Sequence, residues 1–125
     1  SGGVRIGTAE LYRVVEKIEN INECVAVEQR FKNDTRIILF IKLKNFSKLS
    51  TSLIELIKNK IKYSLSPKHV PSKILKVLDI PKTKSGKIVE MAIKQIIHNE
   101  KIVNLNSLVN PESLNEFRNR KELED

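Results

Sequence analysis

The feature that most constrains the fold is a run of five apolar residues, 37–41 (IILFI), between two basic side chains. Such a run is too short to cross a bilayer, and it is typical of a β-strand that is covered on both faces. A second apolar segment, residues 24–29, precedes it, and residues 32–34 (KND) between the two are a turn signal. The sequence therefore predicts a β-hairpin whose second strand, residues 36–43, lies inside the fold.

Apolar residues at helical spacing predict three helices around this hairpin. The first begins near Thr8, whose side chain we expect to cap it, and ends at residues 20–22. The second begins at a capping box, residues 52–55 (SLIE), and the third covers about residues 88–99.

Two further elements complete the predicted fold. Residues 73–78 are a third strand candidate, and Asn110 followed by Pro111 is typical of the start of a last helix. The order of the elements predicts an α+β fold, with a small, mainly antiparallel sheet of about three strands, helices packed on it and a C-terminal helical tail. We expect residues 1–101 to form the domain and residues 102–125 to be its helical extension.

Length and composition allow one domain with an ordinary core. The chain has 125 residues, 40% of them hydrophobic, and a single cysteine, Cys24, which we expect to be a small buried residue. The two histidines, His69 and His98, are isolated, so we expect structural roles for them and no metal site. With no long apolar segment and no secretory signal visible, the simplest expectation is a soluble, cytoplasmic chain.

Positive charge is concentrated in the middle of the chain. The formal net charge is +8, but residues 35–101 hold fifteen basic and four acidic side chains, a net charge of +11. Such a segment attracts anions, so the candidate partners are a nucleic acid, a membrane surface or a phosphorylated small molecule; a solvated lysine-rich surface needs no partner at all. Sparse aromatic residues and missing RNA-binding signatures argue against nucleic acid, and residues 53–65 fit a core-facing helix as well as a membrane-surface one.

The segment with the most chemical character is residues 81–88 (PKTKSGKI). Gly86 allows a sharp turn and a close approach to a ligand, Thr83 and Ser85 can donate hydrogen bonds to phosphate oxygens, and Lys87 is a compact cation on a flexible stem. The segment is not a Walker A motif, because proline stands where the first glycine is needed and isoleucine where a hydroxyl is needed. From the residues alone, an anion-contacting loop and a solvated basic turn are equally good interpretations.

The same segment resembles the Pro-Lys-Thr-x-Ser-Gly-Lys-Ile signature in the C-terminal domain of adenylate-forming acyl-CoA synthetases. Residues 3–10 (GVRIGTAE) resemble the part of that superfamily just past the interdomain hinge. Residues 65–71 (LSPKHVP) and 110–114 (NPESL) are similar to its acetoacetyl-CoA synthetase branch. The resemblance covers essentially the whole chain.

The resemblance implies a two-step ligation. A carboxylate, acetoacetate in that branch, attacks the α-phosphate of ATP to give acyl-AMP and pyrophosphate, and the thiol of coenzyme A then displaces AMP. The small C-terminal domain rotates between the two steps. ATP with its Mg²⁺ and the acyl group would be held by a large N-terminal domain that is absent from this sequence, so we expect the isolated domain to be inactive. The resemblance implies neither a nucleic-acid nor a membrane partner; the alternative is a basic, non-enzymatic module that binds RNA or another anion.

The resemblance also implies roles for single residues. Lys87 would bridge the carboxylate and phosphate oxygens during adenylation, and Arg5 would approach the nucleotide phosphate. Gly2 and Gly3 would line the tunnel for the pantetheine arm of coenzyme A, and Lys62 stands where relatives have an arginine near the coenzyme A phosphates. Supporting positions in the loop are Thr83, Ser85 and Gly86.

Overall fold

A computed structural model describes residues 7–103 and 105–125, without the side chain of Phe46. Gly2, Gly3 and Arg5, and the predicted roles that depend on them, lie outside the described residues. Those residues contain three α-helices and one three-stranded sheet, which confirms the predicted α+β class.

The sheet is built on the predicted hairpin. Strands β1 (Ile21–Phe31) and β2 (Asp34–Leu43) are antiparallel, and β3 (Lys73–Lys76) lies parallel to β2 at its other edge. Lys32 and Asn33 both have positive φ, 49° and 63°, as a two-residue turn that follows the twist of the strands requires. The central position of β2 explains why its apolar run is covered on both faces.

The helices are α1 (Thr8–Val15), α2 (Thr51–Ser64) and α3 (Glu90–Ile97). The prediction that Thr8 caps α1 is wrong, because Thr8 is its first helical residue and Gly7 occupies the N-cap position. The helix also ends at Val15 rather than at residues 20–22. Ile18 is buried although it lies beyond the helix, in the turns that carry the chain from Val15 into β1. Because Ile18 continues the apolar spacing of α1, the sequence predicted a longer helix.

The predicted start of α2 is wrong as well. Ser50 caps the helix, because its Oγ accepts a hydrogen bond from the Leu53 amide at 3.1 Å. The predicted capping box at residues 52–55 therefore begins two residues too late, and Ser52 instead pairs its hydroxyl with that of Ser50. Helix α3 begins at Glu90 rather than at residue 88, because Ile88 is paired with Lys82.

The sheet separates two apolar cores, both of them buried. One face packs against α1 and α2, and the other packs against α3 and the C-terminal segment, residues 105–125. The side chains that this segment contributes to its core are Leu108, Leu114, Phe117 and Leu123.

The C-terminal segment is helical, as predicted, but its turns are 3₁₀ turns, at Leu105–Ser107, Pro111–Phe117 and Lys121–Glu124. Leu114 and Phe117 are both buried and stand three residues apart, a spacing that puts side chains on one face of a 3₁₀ turn. None of the helices in residues 7–103 and 105–125 has the length and hydropathy that crossing a membrane requires.

Candidate functional site

Residues 82–88, here called the lysine hairpin, form a tight antiparallel turn. Lys82 pairs with Ile88, and the Thr83 amide donates to the Lys87 carbonyl at 2.9 Å. The Gly86 amide donates back to the Thr83 carbonyl at 2.9 Å. This is the pattern of a three-residue hairpin loop with a glycine bulge. The structure therefore shows a regular turn here, and both interpretations from the sequence, an anion-contacting loop and a solvated basic turn, are compatible with it.

Gly86 is required by the turn itself. Its φ of +85° lies in the left-handed region, which a side chain at this position would strain. A Cβ added there would meet nothing within 4 Å, so crowding within this domain is not the reason for the glycine. Its predicted close approach to a ligand stays a prediction.

The two hydroxyls of the lysine hairpin contact each other and its backbone. Thr83 Oγ1 lies 3.0 Å from Ser85 Oγ and accepts a hydrogen bond from the Lys87 amide at 3.3 Å. These bonds stiffen the turn that carries Lys87. The predicted contacts of the Thr83 and Ser85 hydroxyls with phosphate oxygens stay predictions.

Lys87 itself is exposed. Among the residues that the structure describes, no carboxylate pairs with its ammonium group, whereas Lys82 at the base of the same hairpin is paired with Glu23. The arrangement can therefore offer flexible positive charge to an anionic ligand, from Lys87 and from its exposed neighbour Lys84, on a turn whose backbone is fixed.

The C-terminal segment pairs with the first strand of the lysine hairpin, residues 82–83. Thr83 pairs with Leu108, and the Val109 amide donates to the Lys82 carbonyl at 2.9 Å. Asn110 accepts a hydrogen bond from the Lys82 amide at 2.9 Å and donates to the Ile80 carbonyl at 2.8 Å. Sequence reasoning assigned Asn110 to a helix cap and missed this role, for which an asparagine before a proline gives no signal.

Charged side chains from the sheet lie beneath the hairpin. Lys42 Nζ is 3.2 Å from Asp79 Oδ1 and 3.6 Å from Glu23 Oε1, and Glu23 and Lys42 are direct cross-strand partners. Burial raises the pKa of Asp79, but hydrogen bonds from Asn110, the Ile80 amide and Lys42 outweigh it and hold the pKa below its ordinary value. Asp79 is therefore ionised at neutral pH, which its contact with Lys42 requires.

Lys62 lies elsewhere in the fold. It is exposed near the end of α2, with Nζ 5.6 Å from the centroid of the Tyr63 ring. Helix α2 packs on one face of the sheet, and the C-terminal segment that holds the lysine hairpin packs on the other. The structure therefore brings the four predicted residues of the hairpin together and leaves Lys62 on a separate layer.

Tyr12 connects α1 to the start of α3, three residues after Lys87. Its hydroxyl donates to Glu90 Oε2 at 2.7 Å and accepts from the Ala26 amide at 3.0 Å. Burial raises the pKa of Tyr12, and the neighbouring Glu90 carboxylate raises it further, so the hydroxyl keeps its proton. Sequence reasoning missed this contact because the two partners are 78 positions apart.

Both histidines form hydrogen bonds within the domain, and their structural roles stay a prediction. His69 joins Ser66 Oγ at 2.7 Å and Glu10 Oε2 at 3.2 Å. His98 contacts the Lys94 carbonyl at 2.7 Å and accepts from the Arg30 amide at 2.9 Å. Within residues 7–103 and 105–125, no three His, Cys, Asp or Glu side chains are grouped so that they could hold a metal ion.

Sequence comparison finds relatives along almost the whole chain, although no family model matches it. It is 45% identical over 122 residues to an acetoacetyl-coenzyme A synthetase of Rhizobium meliloti (strain 1021), covering 98% of this chain and 19% of the relative. It is also 45% identical over 118 residues to an acetoacetyl-CoA synthetase of Caenorhabditis elegans, covering 93% of this chain and 17% of the relative. The chain thus spans about a fifth of the length of the curated relatives that it matches.

Solved structures of CoA-ligating enzymes contain a region with the same fold as this chain. The acetoacetyl-CoA synthetase from Streptomyces lividans superimposes with a TM-score of 0.83 at 31% identity, over 97% of this chain and 18% of that one. The anthranilate CoA ligase AuaEII in complex with anthranoyl-AMP gives a TM-score of 0.65 at 25% identity, over 70% of this chain and 17% of that one. Together with the lysine hairpin, these comparisons show that the chain corresponds to the C-terminal domain of an acetoacetyl-CoA synthetase-like protein of the adenylate-forming acyl-CoA synthetase superfamily.

Proposed function

We propose that this domain belongs to an ATP-dependent acid–thiol ligase that converts acetoacetate, ATP and coenzyme A into acetoacetyl-CoA, AMP and pyrophosphate. Its part in the reaction is to supply Lys87 for adenylation and then, after rotation, to form part of the coenzyme A tunnel. The observation that carries the proposal is the position of Lys87, which is exposed and without a carboxylate partner among the described residues, on a hairpin held from two sides.

The first step needs a cation between two anions. The acid's carboxylate and the α-phosphate of ATP repel each other, and a lysine that contacts both lowers this repulsion and stabilises the charge that develops in the transition state. Lys87 suits this task because its ammonium is a compact charge on a flexible stem. The anthranilate CoA ligase with a similar fold was captured with an acyl-AMP, the product of such a step.

The second step would use another face of the domain. Lys62 is proposed to meet the phosphates of coenzyme A, and its position on the α2 layer, away from the lysine hairpin, fits a domain that presents different surfaces in turn. We assign Gly2 and Gly3 to the pantetheine tunnel and Arg5 to the nucleotide phosphate on the resemblance alone. ATP with its Mg²⁺ and the acyl group would bind the larger N-terminal part of the complete protein.

We further propose that residues 102–125 are an extension of the domain formed by residues 1–101. Leu114 and Phe117 of the extension are fully buried against the sheet, and Asn110 bonds to the chain on both sides of residue 81. The extension would therefore move with the lysine hairpin when the domain rotates.

The test is Lys87→Ala in the complete protein, with each half-reaction measured separately. ATP–pyrophosphate exchange with acetoacetate should fall by ~10²–10³, the loss expected for one electrostatic donor. Thioester formation from supplied acyl-AMP and coenzyme A should survive. Lys48→Ala removes a matched exposed lysine and should change neither rate.

Two results would contradict the proposal. Unchanged pyrophosphate exchange in Lys87→Ala would remove the assigned role of this lysine. Exchange that other short carboxylic acids support but acetoacetate does not would remove the substrate assignment and leave the rest.

A further inference from the structure

We propose that a closed ring of polar contacts beneath the lysine hairpin positions Lys87 for adenylation, with Lys82 and Glu23 as positioning residues. The inference rests on the proposed function, since it explains how that lysine is held in place. Neither residue needs to touch a substrate; each acts through the backbone of the hairpin.

The ring has five members, and each contacts the next. Glu23 pairs with Lys42, whose Nζ is 3.6 Å from Glu23 Oε1 and 3.2 Å from Asp79 Oδ1. Asn110 Nδ2 donates to Asp79 Oδ2 at 2.9 Å, and Asn110 Oδ1 accepts from the Lys82 amide at 2.9 Å. Lys82 Nζ then returns to Glu23 Oε2 as an ion pair.

The ring connects separate parts of the chain at one point. Glu23 and Lys42 come from neighbouring strands, Asp79 follows β3, and Asn110 directly precedes the 3₁₀ turn Pro111–Phe117 of the C-terminal segment. Lys82 enters the ring twice, by its backbone amide and by its ammonium group. The first strand of the lysine hairpin is thus held to the sheet on one side and to the C-terminal segment on the other.

Burial and charge give these contacts their strength. The side chains of Glu23, Lys82 and Lys42 are only 21–26% exposed, so their attraction is screened less than that of surface pairs. Two carboxylates and two ammonium groups balance each other within the ring. Without Lys82, Glu23 would keep only Lys42, and its Oε1 already accepts no hydrogen bond from the described residues.

The ring matters for catalysis because adenylation depends on the position of one ammonium group. A misplacement of about 1 Å at a reacting centre can cost ~10²-fold in rate. Lys87 follows Lys82 by five positions, and the Thr83 amide, next to Lys82, donates directly to the Lys87 carbonyl at 2.9 Å. A change in the ring is therefore transmitted to the base of the Lys87 side chain.

The experiment uses the complete protein and the variant Lys82→Met, which removes the ammonium group and keeps the stem. We expect the kcat of ATP–pyrophosphate exchange to fall by ~10–10²-fold. The KM for ATP and the rate of thioester formation from supplied acyl-AMP should stay within about twofold, because neither depends on the placement of Lys87. Lys82→Arg keeps the cation and should recover most of the rate.

Two further variants separate positioning from other effects. Glu23→Gln removes the charge of the partner from β1 and should reproduce the same pattern, a fall in kcat with the KM and the second half-reaction retained. Lys48→Met removes an exposed lysine from the loop before α2 and should leave exchange unchanged. Thermal unfolding of each variant shows how much stability it has lost.

The outcomes distinguish this inference from the proposed function. If Lys87→Ala abolishes exchange but Lys82→Met and Glu23→Gln exchange normally, the positioning role is overturned and the proposed function stands. If the two ring variants lose both half-reactions in proportion to their stability, their role is structural and the inference is overturned. If Lys87→Ala exchanges normally, the proposed function fails first.

Discussion

Truncation of Phe117 to alanine tests whether the C-terminal segment is part of the folded domain. Phe117 is fully buried, and its ring packs edge-to-face on Phe40 of β2, with centroids 4.7 Å apart and an interplanar angle of 74°. Phe40 is itself fully buried in the central strand. The substitution therefore opens a cavity between the sheet and the segment that holds the lysine hairpin.

The expected loss in the free energy of unfolding is about 3–5 kcal/mol, the range for large aromatic truncations in a core. About 0.5–1.5 kcal/mol of this belongs to the aromatic pair. A domain of this size has a stability of roughly 6–19 kcal/mol, so the loss is large but measurable. Urea unfolding followed by far-ultraviolet circular dichroism gives the value, and Tyr63→Ala is the matched control because Tyr63 is 79% exposed; it should cost less than about 0.5 kcal/mol.

An unchanged urea midpoint in Phe117→Ala would refute this reasoning. The C-terminal segment would then be an appendage whose docking adds nothing to the stability of the sheet. The proposal that Asn110 positions the lysine hairpin would then be contradicted as well, because Asn110 belongs to the same docked segment.

Three further predictions concern single positions. Gly86→Ala should cost about 1–2 kcal/mol in urea unfolding because of its positive φ, although a Cβ there meets nothing within 4 Å; an unchanged urea midpoint would contradict the strain argument. Burial raises the pKa of Asp79, but hydrogen bonds to its carboxylate leave the pKa below the ordinary 3.8. Its contribution to stability is therefore present at neutral pH and lost as the pH falls through the folded pKa, so Asp79→Asn should lose less stability than the parent between about pH 6 and pH 3. Burial raises the pKa of Cys24 to about 12, so a thiol reagent at about pH 8 should label it only after urea is added; rapid labelling of the folded chain would contradict this.

The centre of the fold was predictable because its signals are strong and local. The apolar run of β2 and the turn at Lys32 and Asn33 determine the hairpin, and a strand that must be covered on both faces requires helices on each side of the sheet. The helix ends were less predictable. Ser50 and Ser52 are both acceptable caps by sequence, and in the structure the Leu53 amide bonds to Ser50.

The candidate site was predictable only in part, because only some of its residues form a local motif. Lys87 and Gly86 were found because they belong to one short motif. The ring beneath them draws on residues 23, 42, 79, 82 and 110, which are distant in sequence and meet only through the strand register and the docking of the C-terminal segment. The sequence predicts Asn110 as a helix cap, but in the structure its side chain bonds to Lys82, Asp79 and Ile80 and not to the following turn.

The fold changes the meaning of the positive charge that is so prominent in the sequence. The +11 segment does not form one uniform cationic face, because Lys42 and Lys82 are paired with internal carboxylates and Lys62 lies on the opposite layer from the lysine hairpin. A uniform basic face favours a polyanion such as a nucleic acid, which gains from many simultaneous contacts. Two exposed ammonium groups on one fixed turn, those of Lys84 and Lys87, with a further cation, Lys62, on another surface, instead favour small anions met one at a time. The proposed ligase, which would form an acyl-adenylate first and a thioester second, would use that separation.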